Sequence, residues 1–254
     1  MILKPPKLTP LYRKPRGLVG DWPMNEGSGN LVNDLSGNGN TGTLENGAIW
    51  STREYGVGVE MFGDSSGDWI ALDNAISFGN GVPWSFISAV DVDALFNYGV
   101  FWGNRYDSHA YSRLQHNNDG DLALYDDELG LTSLNGAAPV ISLGWQSLAV
   151  VCDGTNIITY RNGMFVDSTA IGGSASFTIN KLGAFGKAGM DSLDGQMLDA
   201  QVYNRALTAS EIARLYRDPW WRFRRQRPAL WSAATQGAGE EPSVYDSVFM
   251  GCNF

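Results

Sequence analysis

Two aspartates, Asp91 and Asp93, stand at alternate positions of the β-type run "SAVDVDALF". Residues at alternate positions of a strand lie on one face of a sheet, so the two carboxylates would share a face. Paired carboxylates on one face are what glycoside hydrolysis requires. Solvated acidic residues at a sheet edge give the same pattern, and we favour that interpretation. Asp126, Asp127 and Glu128 are consecutive, so they cannot all converge from one strand.

The histidines and cysteines indicate no second kind of catalysis or metal site. His109 and His116 lie in a polar stretch that shows no nucleophile motif, so a catalytic triad is not supported. Cys152 and Cys252 have no metal-ligand spacing. Cys152 lies in the apolar run "SLAVVCDG" and is expected to be buried. We therefore predict that the protein is not an enzyme.

Carbohydrate binding is a second chemistry that the residue types allow. The stretch "NYGVFWGNRYDSHAYSRLQHNNDGD", residues 97–121, concentrates Trp102, Tyr106, His109, Tyr111 and Arg113. Aromatic faces stack on sugar rings, and polar or charged groups hydrogen-bond to the hydroxyls. The alternative is an ordinary pair of strands with half-buried aromatic residues. The sequence leaves both interpretations open.

Positive charge is concentrated towards both ends of the chain, although the net charge of the 254 residues is −9. Residues 1–16 carry +5, residues 205–227 carry +5, and the body between them, residues 17–204, carries −16. The last residues, 228–254, carry −3. An acidic body repels nucleic acid, so any such contact would have to come from the basic arms.

The second basic region contains the strip "LYRDPWWRFRRQRPALW", residues 215–231. A nucleic-acid tail would use its charge and its rings, but the strip is short and joined to an acidic body. A membrane-surface helix is disfavoured by Pro219 and Pro228. We favour a docking peptide, because tryptophan and arginine dominate binding hot spots; it would lie against its own domain or a neighbour. The residues assigned to docking are Arg13, Lys14, Arg16, Trp220, Trp221, Phe223, Arg224 and Arg225.

Most of the chain consists of short β-type runs between glycine-rich turns, which predicts an all-β fold. The clearest hairpin is "YRNGMFV", because Asn-Gly suits a type I′ turn. The segment "TASEIARLYRD" predicts one helix. Thr208 precedes Glu211 with the spacing of a capping box, Ile212 and Leu215 form an apolar stripe, and Pro219 ends the pattern. Many strands with one late helix indicate a sandwich or jelly roll.

Four segments, in their order and spacing, resemble the laminin-G-like jelly roll of the concanavalin A-like lectin/glucanase superfamily. They are "GLVGDWPMNEGSGNLVNDLSGNGNTGTLENG" at 17–47, "MFGDSSGDWIALDNA" at 61–75, "WQSLAVVCDGTNIITYRNGMFVDS" at 145–168 and "LDGQMLDAQVYNRALTASEIARLY" at 193–216. The resemblance implies two antiparallel sheets packed as a sandwich, with the first and last strands adjacent. It predicts a basic proline-rich arm at 1–16, the jelly-roll domain at 17–218 and an extended docking tail at 219–254.

The resemblance also bears on the candidate sites. Glycosidases of the laminarinase type carry a glutamate–x–aspartate–x–x–glutamate order, which Asp91 and Asp93 lack. Members of the superfamily often hold one structural calcium ion where the first and last strands meet. Carried over to this sequence, its ligands would be the Asp199 carboxylate and the carbonyls of Pro23 and Gly67. The alternative, left open, is that Asp199 accepts hydrogen bonds from neighbouring turn amides.

The resemblance finally suggests a setting. Laminin-G-like modules usually work outside cells, whereas residues 1–16 lack the apolar core of a signal peptide. Virion proteins reconcile the two facts, and the ending "ALTASEIARLYRDPWWRFRRQR" resembles laminin-G-like proteins of tailed bacteriophages. We therefore expect a non-catalytic virion protein, a capsid decoration or a tail or fibre component, held by its arms in an oligomer or large assembly. It would present a domain able to bind cell-surface glycan, with no nucleic-acid contact or membrane insertion. A free lectin is the alternative, and a glycoside hydrolase ranks third.

Overall fold

The computed structural model describes Tyr12 and residues 14–63, 67–95, 98–104, 112–126, 130–135, 139–171, 176–184 and 192–223. Within these residues the chain forms sixteen strands, one α-helix and one short 3₁₀-helix. The strands are β1 (Leu18–Trp22), β2 (Leu31–Val32), β3 (Gly42–Glu45), β4 (Ile49–Arg53), β5 (Gly56–Phe62), β6 (Trp69–Phe78), β7 (Trp84–Val92), β8 (Gly99–Gly103), β9 (Ser112–His116), β10 (Leu122–Asp126), β11 (Gly130–Ser133), β12 (Gly144–Cys152), β13 (Asn156–Arg161), β14 (Met164–Ala170), β15 (Phe177–Leu182) and β16 (Asp194–Tyr203). Helix α1 spans Ala209–Arg217, and the 3₁₀-helix spans Trp221–Phe223.

The strands form two antiparallel sheets of eight strands each. Sheet A has the order β14-β13-β12-β7-β16-β5-β4, and β1 also pairs with β16. Sheet B has the order β11-β10-β9-β8-β15-β6-β3-β2. Several neighbours in the sheets are distant in sequence, such as β7 and β16 in sheet A and β8 and β15 in sheet B, as in a jelly roll. The predicted all-β sandwich with one short helix is confirmed.

The first and last strands lie side by side, as the resemblance implied. Strand β1 pairs with the second half of β16, where Asp21 stands opposite Gln201. Asp199 is two residues from Gln201 on β16, so the two side chains share a face. This face is the outer one, because Ala200 and Val202 between and beyond them belong to the core between the sheets. The pairing therefore brings two acidic residues, Asp21 and Asp199, to one place outside sheet A.

The main core lies between the two sheets and contains the fully buried rings of Trp22, Trp84 and Trp102. A second cluster lies between the outer face of sheet A and α1, and it includes Ile87 and Leu215. The second cluster forms because α1 has an apolar stripe, which is shielded from water by packing against sheet A. Helix α1 thus shields part of one sheet, while the described residues place no helix over sheet B.

Helix α1 begins as the sequence predicts. Thr208 is the N-cap; its hydroxyl accepts from the Glu211 amide at 3.3 Å, and the Glu211 carboxylate accepts from the Thr208 amide at 2.9 Å. Ile212 and Leu215 are buried against sheet A.

Among the described residues, no helix has the length and apolar character needed to cross a membrane.

The predicted hairpin is also present. Asn162 and Gly163 join β13 to β14 with φ angles of 51° and 76°. Two successive positive φ values are what a type I′ turn requires, and glycine takes the second at no steric cost.

Cys152 is buried and unpaired at the end of β12, as expected, and burial raises the pKa of its thiol.

Candidate functional site

An arginine is held between two tyrosine rings on the outer face of sheet B. Arg113 on β9 stands directly opposite Tyr125 on β10. Its guanidinium carbon lies 5.1 Å from the centre of the Tyr125 ring and 5.4 Å from that of Tyr98. Its Nε donates a hydrogen bond to Gln115 Oε1. We call Tyr98, Arg113, Gln115 and Tyr125 the arginine–tyrosine cluster.

The arginine–tyrosine cluster is accessible from solvent. Tyr98 is 46% exposed, whereas Arg113 and Tyr125 are half-buried. Cation–π contacts of this kind attract a guanidinium to the ring faces and contribute about 0.5–1 kcal/mol at exposed sites. The rings and the guanidinium therefore form an ordered surface.

A second cation–aromatic pair lies two strands away on the same face. Gly103 stands opposite Arg113 on one side and opposite Lys181 on the other. The Lys181 Nζ lies 3.7 Å from the centre of the Trp69 ring. Since Gly103 has no side chain, the row has a gap between Arg113 and Lys181, whose backbones are about 10 Å apart at ordinary strand spacing. Lys181 itself is buried, with only 6% of its surface exposed.

The structure places the residues assigned to glycan binding in different environments. Arg113 is on the outer face and belongs to the cluster. Trp102 does not: it is fully buried in the main core, with its ring centre 4.8 Å from that of Phe177 and 5.6 Å from that of Phe86. An irregularity in β8 between Val100 and Trp102 turns this side chain inwards, so its assignment as a sugar platform is wrong. Three further candidates lie outside the described residues: Tyr106, His109 and Tyr111.

A buried ion-pair network lies on the outer face of sheet A. Arg222 Nη2 lies 2.9 Å from Asp21 Oδ1 and 2.6 Å from Asp199 Oδ1. Arg222 Nε donates to Asp21 Oδ2 at 3.1 Å. The side chains of Arg222 and Asp21 are completely buried. We call Asp21, Asp199 and Arg222 the Arg222 anchor.

Polar side chains surround the Arg222 anchor and donate hydrogen bonds to its carboxylates. The Tyr12 hydroxyl donates to Asp21 Oδ2 at 2.6 Å, and Gln201 Nε2 donates to Asp199 Oδ2 at 2.7 Å. Burial, followed by the negative charge of Asp21, raises the pKa of Tyr12. Burial also raises the pKa of Asp199 to about 6, although the positive charge of Arg222 acts in the opposite direction. The network is thus a desolvated cluster stabilised by its internal contacts.

The Arg222 anchor corrects the prediction that the chain leaves the domain at Pro219. Trp220 and Phe223 are buried against their own domain, with only 8% and 6% exposed. Trp221 is half-buried, and the Arg214 guanidinium carbon lies 4.4 Å from its ring centre. The aromatic part of the strip therefore docks within the chain, which is one of the two alternatives that the sequence left open.

The other residues assigned to docking are either exposed or outside the described residues. Lys14 and Arg16 are exposed, and the Arg16 carbonyl accepts from Arg205 Nε at 2.9 Å. The three remaining ones lie outside the described residues: Arg13, Arg224 and Arg225. No pattern in the sequence singled out Asp21 or Arg222, because their partnership depends on residues far apart along the chain.

The predicted calcium ligands do not fit a calcium ion in this structure. One oxygen of Asp199 contacts Arg222 and the other accepts from Gln201, so a second cation here would meet a buried guanidinium. The Gly67 carbonyl accepts from Asn46 Nδ2 at 2.8 Å. Pro23 is buried. Within the described ranges, no group of three acidic, histidine or cysteine residues is arranged to hold a metal.

Asp91 on β7 and Asp93, just after its end, contact one arginine. Arg53 lies 2.5 Å from Asp93, 2.7 Å from Glu60 and 3.4 Å from Asp91. Burial would raise the pKa of Glu60, but hydrogen bonds from Arg53 and Ser51 lower it below its usual range. The carboxylates thus form a surface ion-pair network on sheet A, on the sheet opposite to the arginine–tyrosine cluster.

The sequence also matches a family model, over residues 64–213, described as the concanavalin A-like lectin/glucanases superfamily and of the laminin-G type. The match covers more than half of the chain. The chain belongs to this superfamily. No curated protein has a matching sequence.

Solved structures of the same fold include several parts of larger proteins. Domain 4 of AbnA, an extracellular arabinanase from Geobacillus stearothermophilus solved with arabinotriose, is 16% identical with a TM-score of 0.59, covering 78% of this chain and 98% of that domain. The binding domain of Paraclostridial Mosquitocidal Protein 1 is 16% identical with a TM-score of 0.57, covering 79% of this chain and 52% of that one. Trypanosoma rangeli sialidase is 16% identical with a TM-score of 0.51, covering 86% of this chain and 37% of the sialidase. These similarities show the fold that this superfamily member shares with them.

Proposed function

We propose that this protein binds carbohydrate through the arginine–tyrosine cluster on the outer face of sheet B. The observation that carries the proposal is the ordered stack of Arg113 against Tyr98 and Tyr125 on an accessible face. Tyrosine faces offer apolar surface to the C–H side of a sugar, and tyrosine hydroxyls donate to sugar oxygens. Arg113 adds fixed donors.

Membership of the lectin/glucanase superfamily agrees with this proposal. The AbnA domain was solved with arabinotriose, so a domain of this fold can hold a short sugar chain. Fold alone does not assign a ligand. The assignment to this chain therefore depends on the arginine–tyrosine cluster and on its test.

The test is a glycan array probed with the full chain, followed by affinity measurements on the strongest ligand. Tyr125→Ala and Arg113→Gln should each weaken binding at least about tenfold, because each removes a contact surface at the centre of the proposed site. Tyr55→Ala is the matched control, since Tyr55 lies on the β4–β5 turn against Trp145. Equal binding by all four proteins, or no binding to any glycan, would contradict the proposal.

We further propose that the terminal segments attach this domain to a larger assembly. Tyr12 and Phe223, near the two ends of the described fold, lie with their ring centres 5.4 Å apart. The chain therefore enters and leaves the described fold at neighbouring points beside the Arg222 anchor. Two ends of a fold that lie at one place suit attachment of the domain to one partner.

The sequence resemblance to laminin-G-like proteins of tailed bacteriophages makes a virus particle the assembly that we favour. A chain limited to residues 12–223 keeps the Arg222 anchor and should remain folded, but it should no longer sediment with the particles that carry the full chain. A shorter chain, residues 17–218, loses Tyr12 and Arg222 and should also lose stability. Sedimentation of the 12–223 chain with particles at the level of the full chain would exclude this role for the terminal segments.

A further inference from the structure

A cavity lies between the outer face of sheet A, the chain before β1 and helix α1. Its volume is about 160 Å³. Most of its walls are apolar and come from Pro15, Tyr203, Leu207, Leu215 and Trp221. A cavity of about 150 Å³ can hold one benzene ring, whereas sites for drug-sized ligands are about 300–1,000 Å³. This cavity therefore has the size and walls for a single apolar ring.

The same cavity is lined by three arginines and one glutamate. The arginines are Arg16, Arg205 and Arg214, and the glutamate is Glu211. Arg205 pairs with Glu211, with Nη2 2.6 Å from Oε1. Arg16 and Arg214 are exposed and add a net positive charge to a body that carries −16 over residues 17–204. An anionic group is therefore favoured at the mouth of the cavity.

Trp221 joins the apolar and the charged parts of the cavity. It lines the cavity, and its indole face holds the Arg214 guanidinium at 4.4 Å. An apolar wall and an arginine therefore stand side by side.

We propose that this cavity binds a small organic carboxylate whose body is a single apolar ring. The carboxylate is placed beside Arg16 and Arg214, since the Arg205 guanidinium is already paired with Glu211, and the ring packs against Leu207 and Leu215. The apolar walls disfavour a sugar, and an inorganic anion alone would leave these walls unfilled. The site lies on sheet A, apart from the arginine–tyrosine cluster, so it is independent of the proposed glycan binding.

The test uses phenylacetate with the full chain, measured by chemical-shift titration and calorimetry. Phenylacetamide has nearly the same shape but no charge, and acetate has the charge but no ring. Phenylacetate should bind saturably at least about tenfold more tightly than either analogue, because it alone uses both the arginines and the apolar walls.

Two variants and a control locate the binding. Arg214→Gln should weaken phenylacetate binding about tenfold, since it removes an arginine at the mouth. Trp221→Ala removes an apolar wall of the cavity, and it should weaken binding about threefold or more. Arg217→Gln, an exposed position on the same helix outside the cavity, should bind like the unchanged protein. Thermal unfolding of each variant confirms that it is folded.

Three results would overturn the proposal. They are the absence of saturable phenylacetate binding, equal affinity for phenylacetate and phenylacetamide, and unchanged binding by folded Arg214→Gln. Each result leaves the glycan proposal untouched, because that proposal concerns the other sheet.

Discussion

Arg222 and Asp21 are 201 positions apart in the chain, and their side chains form a completely buried ion pair. The same Arg222 Nη2 also contacts Asp199, at 2.6 Å. Three segments therefore meet at one guanidinium: the first strand, the last strand and the chain beyond α1. A partnership of this kind ties the end of the described fold to its beginning.

Arg222→Met should lower the free energy of unfolding by about 3–5 kcal/mol, because it leaves two buried carboxylates without their cation. Urea unfolding followed by tryptophan fluorescence measures the change. Arg217→Met is the matched control. Arg217 is exposed, and its replacement should change stability by no more than about 0.5 kcal/mol.

A triple variant separates the loss of attraction from the cost of unpaired charge. Replacing Asp21 and Asp199 with asparagine in the Arg222→Met background removes the uncompensated charges and should recover part of the lost stability. If Arg222→Met unfolds like its control, or if the triple variant is less stable than the single one, the Arg222 anchor does not stabilise the fold as described.

The Asp199 carboxylate should give a recognisable pH dependence. Burial raises its pKa to about 6, above the value of about 4 in an unfolded chain. Between these two values the folded state binds more protons, so the contribution of Asp199 to stability falls as the pH rises from about 4 to about 6. Asp199→Asn does not titrate. The unfolding free energy of the unchanged protein minus that of Asp199→Asn should therefore decrease over this range.

Urea unfolding at several pH values on both sides of this range provides the measurement. Asp73→Asn is the control for the substitution itself, because Asp73 is exposed on β6. A difference for Asp199→Asn that stays flat or rises with pH would show that burial does not dominate at this carboxylate.

Trp102→Ala should act on stability rather than on ligand binding. Trp102 is fully buried among Trp84, Phe86 and Phe177, and truncation of a core aromatic costs about 3–5 kcal/mol. Calorimetric unfolding measures this loss. Glycan affinity per folded molecule should stay unchanged, in contrast to Tyr125→Ala. Selective loss of binding with normal stability would place Trp102 at the ligand.

The surface carboxylates at the end of β7 should not support hydrolysis. Asp91 and Asp93 contact the same arginine, Arg53, which engages both of the groups that a retaining glycosidase would use. Incubation with laminarin should therefore release no reducing sugar. Release that disappears in both Asp91→Asn and Asp93→Asn would identify an enzyme.

Features decided by neighbouring residues could be predicted from the sequence. The turn at Asn162 and Gly163 needs two positive φ values, and the N-terminus of α1 needs a hydroxyl at Thr208 with a carboxylate at Glu211. Each demand is met within four residues. The all-β sandwich follows from the same kind of local information, repeated along the chain.

The orientation of Trp102 could not be predicted in the same way. Strict alternation along β8 would place it on the same face as Val100, which is the outer face with Arg113. The irregularity between these two residues reverses that face. A single extra residue in a strand changes the side of every residue after it, and no residue type in "GVFWG" indicates it.

The sequence by itself determined the sandwich, its one helix and the concentration of positive charge at both ends. Only the tertiary structure decided the position of Arg222. Pairing of β1 with β16 brings Asp21 beside Asp199, and two buried carboxylates need a cation within hydrogen-bonding distance. Arg222 meets that need because the chain after α1 returns across sheet A. The partner of a buried charge is thus set by strand pairing over 201 positions, which local patterns do not encode.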